Sequence, residues 1–422
     1  MYRTPLNRAS LLIFSILLIA SQQAAAQAGQ LDPTFGNGGI VTTDFGDQTG
    51  SSNVASANAV IIQPNGQIVV AGGVPSSTGF PIPAVARYNT NGSLDTSFGT
   101  SGIVSTASIE DVPFTAITLQ SDGKIVAVGG GFDAYVVRYT SGGVLDSTFG
   151  TGGIVELNFN NGPSAAGVVE QPNGDILVAN GSLIRLLSNG QLDTGFGSGG
   201  TARTAGYPAS ALALLPSGEI MVGSSALGTS GFISRYESNG SLDTGFGIGG
   251  QLATPGTATS LALLSTGEFL AGGSLTNNTT GIGGIASSGF AVSRYLGVGV
   301  TDASFGTNGG TYTVFLAYQS IATSGLAVDP SSNIVMLGTA SRSPLTAFAL
   351  ARYTPTGQLD TTFGNNGTVI TAFGSGVQAP SVSANGLTIQ SDSKIVAVGG
   401  YSVFVPHHGF DTAFKVLRYL GQ

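Results

Sequence analysis

The sequence predicts an all-β fold, a seven-bladed β-propeller with four antiparallel strands per blade, on three observations. A Leu-Asp-x-x-Phe-Gly element recurs at intervals of 47 to 63 residues, with its aspartates at Asp32, Asp95, Asp146, Asp193, Asp243, Asp302 and Asp360. Only Val300-Thr301-Asp302 lacks the leucine. Between these landmarks the order of four β-rich runs is constant, and each pair of runs is split by an Asn-Gly, Asp-Gly or Ser-Gly turn signal. No stretch of the repeats carries a 3.6-residue apolar period.

The chain opens on a segment that reads as an export signal. Arg3 and Arg8 give a positive start, Leu11 to Ala20 is apolar except for Ser15, and Ala24-Ala25-Ala26 offers a small-x-small cleavage pattern. Residues 1–26 are therefore expected to be a signal peptide, with a second cleavage pattern ending at Ala28, and 27–422 to be one propeller. A run of ten residues, nine of them apolar, is too short for a membrane anchor, which needs about 20, so no span is expected after cleavage. The protein is expected to be secreted or periplasmic.

Within the first repeat, Ala59-Val60-Ile61-Ile62-Gln63 leads through the turn Pro64-Asn65-Gly66 into Gln67-Ile68-Val69-Val70-Ala71-Gly72-Gly73. A variable loop, the run Ala84-Val85-Ala86-Arg87-Tyr88, the turn Asn91-Gly92 and the next Leu94-Asp95 follow, and Gly102-Ile103-Val104 is a fourth short run. Near-continuous apolar runs such as Ile125-Val126-Ala127-Val128 suit strands covered on both faces by neighbouring blades. A parallel β-helix is the rival architecture, but it does not call for paired hairpin turns in every repeat. The chain starts on a blade's last strand and stops on a third strand at Tyr419, so the N-terminal strand is expected to complete the C-terminal blade and close the ring.

Composition narrows the chemistry. Charged residues are 9 % of 422, with 14 basic against 22 acidic side chains for a net charge of −8, which opposes binding to nucleic acid. Cysteine and tryptophan are absent and the two histidines are adjacent, His407 and His408. Disulfides and thiolate metal sites are excluded, and no cofactor or metal is expected. A cysteine-free exported chain has to be held by burial alone.

Half of the basic residues stand at one repeated position: Arg87, Arg138, Arg185, Arg235, Arg294, Arg352 and Arg418. In the first six repeats the motif aspartate follows the arginine by eight residues, which places the two across one hairpin. Structural ion pairs are expected for Arg87–Asp95, Arg138–Asp146, Arg185–Asp193, Arg235–Asp243, Arg294–Asp302 and Arg352–Asp360, with Arg418–Asp32 as a seventh across the closure. A ring of ligand-binding carboxylates is the competing reading. Phe-Gly-x-x-Gly segments such as Gly150, Gly152 and Gly153 precede a strand, not a helix, so they are read as turn glycines and not as a phosphate cradle.

Together these motifs resemble the delta-60 repeats. The elements that carry the resemblance are Leu-Asp-Pro-Thr-Phe-Gly-Asn-Gly-Gly-Ile-Val, the Gln-Pro-Asn-Gly-x-Ile-Val-Val-Ala-Gly-Gly hairpin and the Ala-Arg-Tyr-x-x-x-Gly-x-Leu-Asp return, over residues 31–420. The resemblance implies a β-propeller from a bacterial exported protein and implies no particular activity.

Loop lengths point to where function resides. Turns between first and second and between third and fourth strands are short, whereas second-to-third loops vary: Gly131 to Asp133, Val74 to Pro83, Ser274 to Gly289, Thr339 to Ala347 and Tyr401 to Ala413. One decorated face and one plain face are expected, with binding on the former. Candidate binding residues are Phe80, Pro81, Asn277, Asn278, Tyr401, Phe404, His407, His408 and Asp411. The favoured function is a non-catalytic exported binding or scaffolding module for a protein or cell-envelope polymer. The alternatives are a self-associating surface component, and a glycan hydrolase or lyase using Glu110, Asp111, Asp133 and Asp411 as paired carboxylates.

Overall fold

The computed structural model describes residues 27–422 apart from 49–53, 131–133, 158–164, 205–207, 226–230, 281–285, 376–378 and 408. The expected signal peptide, Asp133 and His408 thus lie outside the described residues, as do the side chains of Asn277 and Asn278. Every regular element among the described residues is a β-strand.

Within each repeat, sheet order follows chain order. In the first, Ser56–Ile62 pairs with Ile68–Val74, which pairs with Ile82–Tyr88, which pairs with Ile103–Ser105, all antiparallel. Glycine closes the tight turns: Gly66 and Gly92 take φ of 84° and 90°, which a Cβ would strain. The second and third strands of this repeat are buried at every residue. Burying each such valine or isoleucine contributes about 1.5–3 kcal/mol, so these central strands form the framework of the fold.

The expectation of seven separate four-stranded blades needs correction. Five blades stand as discrete sheets, four of them four-stranded and one five-stranded, while the two ends of the chain share a single eight-stranded sheet. The eight-stranded sheet arises because Ser56 bridges Gly400, where the missing side chain lets the neighbouring strand approach closely enough to pair. The fifth strand arises in the repeat that lacks the motif leucine. There the return Val300–Thr301 pairs with Leu296 and Tyr295, whereas other repeats make only an isolated bridge such as Tyr88 to Leu94.

The chain ends meet within the eight-stranded sheet. Ile40–Gln48 runs antiparallel to Gly409–Tyr419, from Ile40 opposite Leu417 to Gln48 opposite Phe410. The innermost strands touch in a cycle: Ser56–Ile62, Phe114–Leu119, Gly167–Glu170, Ala209–Leu214, Ser260–Leu263, Ser320–Val328, Ser381–Ile389 and back to the first. Several carry a β-bulge at a small polar residue, among them Asn58, Thr115, Ser210, Ser324 and Asn385. A bulge turns the side chain out of its own ladder and toward the next strand. Asn58 Nδ2 donates to Phe114 O at 2.8 Å, Thr115 Oγ1 to Ala165 O at 2.6 Å, Ser210 Oγ to Ala258 O at 2.7 Å and Asn385 Nδ2 to Ala57 O at 2.9 Å.

Three of the expected long loops are largely strand. The ladders Phe269–Thr280 with Ala286–Leu296, Ile334–Arg342 with Leu345–Tyr353, and Ile395–Val405 with Gly409–Tyr419 extend the second and third strands of three consecutive repeats outward as hairpins.

Candidate functional site

The repeated Arg–Asp pairs must be placed first, because they decide which face is free for binding. Arginine nitrogen and aspartate oxygen are 2.6–2.9 Å apart in all seven pairs, including Arg418–Asp32 at 2.9 Å. The other carboxylate oxygen is occupied as well, since the backbone N–H two residues later donates to it: Thr34, Ser97, Thr148, Gly195, Gly245, Ser304 and Thr362. Each guanidinium also lies 4.5–4.9 Å from the centroid of its motif phenylalanine and donates to a carbonyl of the next hairpin, Arg87 to Ser141 and Arg418 to Thr90. The motif is thus a junction between repeats, and both oxygens of each motif carboxylate are engaged within it.

The motif glycine completes the junction. Gly99 N donates to Gly142 O at 3.0 Å and Gly150 N to Asn189 O at 2.9 Å, both glycines at φ 53°. A Cβ at Gly150 would collide with Ile154 O, which accounts for glycine at that position.

Hydrogen bonding sets the acidity of these carboxylates. The Ser97 hydroxyl and amide, Gln67 and Arg87 together hold Asp95 at about 2 against the upward push of burial. For Asp32 and Asp146 burial is the largest influence and pushes upward. It is outweighed by donors on Thr34 or Thr148 and by the nearby Arg418 and Lys394 or Arg138 and Lys124, so both sit below the usual carboxylate range.

The opposite face carries a different chemistry, built on the last extended hairpin. Lys415 lies on the third strand three residues before Arg418, where other repeats place uncharged residues such as Ala84, Ala291 and Ala349. Lys415 is buried, its Nζ 4.1 Å from the Tyr401 ring centroid and 5.3 Å from that of Phe373, and it donates to Thr42 Oγ1 at 2.7 Å. Burial pushes the Lys415 ammonium down, and the charges of Asp411 and Asp44 oppose this. Burial pushes the Tyr401 phenol up, and Asp411 adds to the shift. Rings extend the cluster on both sides, Phe348 on Phe373 at 5.8 Å and Phe45 on Phe414 at 4.9 Å. At the hairpin end, Phe404 packs edge-on to Phe410 at 5.5 Å and remains 61 % exposed.

Of the residues singled out from sequence, Tyr401, Phe404, His407 and Asp411 share this hairpin, with His407 exposed at φ 69° in its turn. Phe80 is half exposed whereas Pro81 is buried, its carbonyl accepting from Asp111 N at 2.9 Å. Glu110 and Asp111 are exposed. Among the described residues, no group of three His, Asp or Glu side chains is placed to hold a metal ion. Sequence reasoning missed Lys415 and Phe373. The available signal was a lone lysine among small and apolar residues at one repeat position.

Comparison with known proteins bears on the fold. A family profile described as "Domain of unknown function (DUF5122) beta-propeller" matches residues 63–98, 120–149, 215–246 and 333–363. Each match starts at or near a first hairpin turn and ends on a motif phenylalanine, and together they support a β-propeller repeat family. No curated protein matches. Among solved structures, a polysaccharide lyase described as PL25-Ulvanlyase is 12 % identical with a TM-score of 0.44, covering 88 % of this chain and 95 % of that one. Polysaccharide lyase Uly1 is 9 % identical with a TM-score of 0.46, covering 88 % and 92 %. A protein of unknown function from Bacteroides caccae is 12 % identical with a TM-score of 0.35, covering 75 % and 99 %.

Proposed function

We propose that this chain is an exported, non-catalytic binding propeller of the delta-60 kind that takes a protein or a cell-envelope polymer on the face bearing its extended hairpins. One observation carries the reading. The motif carboxylates and guanidiniums are consumed in junctions, while the hairpin Ile395–Val405 with Gly409–Tyr419 runs beyond the common frame and ends in the exposed Phe404, packed on the half-buried Phe410. An exposed aromatic ring braced by a second ring on a ladder is the kind of anchor that binding surfaces use. The apolar leader at Leu11 to Ala20 supports export.

The test is a crosslinking pull-down against envelope and secreted fractions of the source cell. The parent chain is compared with a variant in which Val403–Asp411 is replaced by an Asn-Gly turn, keeping Tyr401 and Lys415. A defined partner retained by the parent and lost by the variant is the expected result. Equal capture by both would remove the hairpin from the proposal. Capture of the chain by itself alone would favour self-assembly, and new reducing ends in the glycan fraction would overturn the non-catalytic reading.

A further inference from the structure

Six repeats carry a tyrosine directly after the motif arginine, and five of these side chains reach the outer strand of the preceding repeat. Tyr88 bonds Thr43 at 2.7 Å, Tyr139 bonds Thr106 at 2.5 Å, Tyr353 bonds Thr313 at 2.7 Å and Tyr419 bonds Thr371 at 2.8 Å, while Tyr236 donates to Arg203 O at 3.0 Å. The third repeat replaces the pair with apolar residues, Leu186 and Leu157, both buried. At the junction of the fourth and fifth repeats the clasp is open. Among the described residues no hydrogen bond joins Tyr295 to the fourth repeat, and Thr254, at the position that meets tyrosine elsewhere, donates to Gly256 O at 2.7 Å.

An open groove of about 1030 Å³ begins at this junction and runs across the fifth repeat to Gly357–Leu359 of the sixth. It is lined by Thr254, Tyr295 and Thr301 and by the outer strand Gly310–Val314, with Asn308 and Gln358 at its rim. The Tyr312 ring lies against the backbone of Gly289, where a Cβ would meet it, and its hydroxyl donates to Leu275 O at 3.0 Å. Among the described residues, no charged side chain lines the groove. A phosphate, a nucleotide or an acidic polymer would therefore lose hydration without gaining a counter-charge. Hydroxyls, two amides and a fixed tyrosine ring offer hydrogen bonds beside apolar carbon, which is the surface that a sugar ring presents in return.

We propose that the groove bounded by the fourth, fifth and sixth repeats binds an uncharged glycan chain, with the Tyr312 ring as its platform and Asn308 and Gln358 as hydrogen-bonding partners. The site lies away from the Phe404 hairpin, so it stands or falls separately from the function proposed above.

Isothermal titration calorimetry with cellohexaose, maltohexaose, xylohexaose and chitohexaose, and with hexagalacturonate as the acidic control, tests the proposal on the whole chain. At least one neutral hexaose is expected to bind with a Kd below about 1 mM. Tyr312→Ala should weaken that binding about tenfold, which corresponds to about 1.4 kcal/mol. Gln358→Ala, at an exposed position, should weaken it several-fold with an unchanged melting temperature, which guards against misfolding of the tyrosine variant. The variant with the trimmed Phe404 hairpin should bind the hexaose as the parent does. Absence of saturable binding to all four neutral oligomers, a preference for hexagalacturonate, or full affinity in both groove variants would each overturn the assignment.

Discussion

The second and fifth repeats are built from the same motif and are tied to their neighbours differently. In the second, Arg138 holds Asp146 at 2.8 Å, Lys124 stands 3.7 Å from the same carboxylate, and Tyr139 clasps Thr106. In the fifth, Arg294 holds Asp302 at 2.7 Å, the position of the lysine is taken by Glu268, which repels Asp302 and shares Arg294 with it, and the tyrosine clasp is open. The arginine pair is therefore the constant part of a junction, and the secondary ties vary. A groove opens where those ties are relaxed, so local loosening of a repeated frame is what makes room for a ligand.

Acid should weaken six of the seven junctions together, and this is the largest effect expected. Asp95 sits at about 2 when folded, and Asp32, Asp146, Asp193, Asp302 and Asp360 are all lowered, against an ordinary value near about 3.9 in the unfolded chain. A lowered folded value means that this stabilisation is fully present above about pH 4–5 and is lost as pH falls through the folded values. Melting temperature measured from pH 7 to pH 2 should be level down to about pH 5 and fall steeply between about 4 and 2. A level profile down to pH 2.5 would mean that the junction carboxylates add nothing to folding.

The next test separates the two repeats by sign. Arg294→Met should cost about 1–2 kcal/mol, less than for a fully buried pair because both side chains are partly exposed, as Asp302 and Glu268 both lose their cation. Adding Glu268→Gln should recover about 0.5–1 kcal/mol by removing the like charge. In the Arg138→Met background, Lys124→Met should instead add about 1 kcal/mol of loss, since Lys124 is the cation left beside Asp146. Denaturant melts of the two double-mutant cycles read these signs directly. The same sign in both repeats would refute the distinction drawn between them.

What could be read from the sequence follows the physics of range. An eight-residue spacing across a tight turn is a local constraint, and the all-β character and buried central strands follow from apolar runs punctuated by glycine turns. The number of discrete sheets was not legible, because the merger of the chain-end repeats depends on one bridge, Ser56 to Gly400, and on ångström-scale approach at a glycine. The extended hairpins read as loops in the sequence because Leu275–Thr280 is rich in polar residues and holds Asn277 and Asn278, a residue type depleted in strands. Lys415 and Phe373 meet only across a repeat boundary, so no local pattern announces them. The open clasp is written in single residues, Tyr295 and Thr254, that match the consensus and differ only in the partners they choose.

The smallest effect probes that choice of partner. Tyr139→Phe removes a hydroxyl from the buried pair with Thr106 and leaves the threonine oxygen without its partner at a site closed to water, a loss of about 1–2 kcal/mol. Tyr295→Phe removes a hydroxyl that ties no neighbouring repeat among the described residues, so the junction loses no bond and the cost should stay at about 0.5 kcal/mol. Both phenyl rings remain packed, which makes the hydroxyl the only variable. Chemical denaturation of the two variants should therefore separate them by about 1 kcal/mol, with Tyr139→Phe the less stable. Equal losses would mean that the cross-repeat bond adds no tie to its junction, and that the groove at the fourth–fifth junction owes its opening to the shape of the outer strand Gly310–Val314 instead.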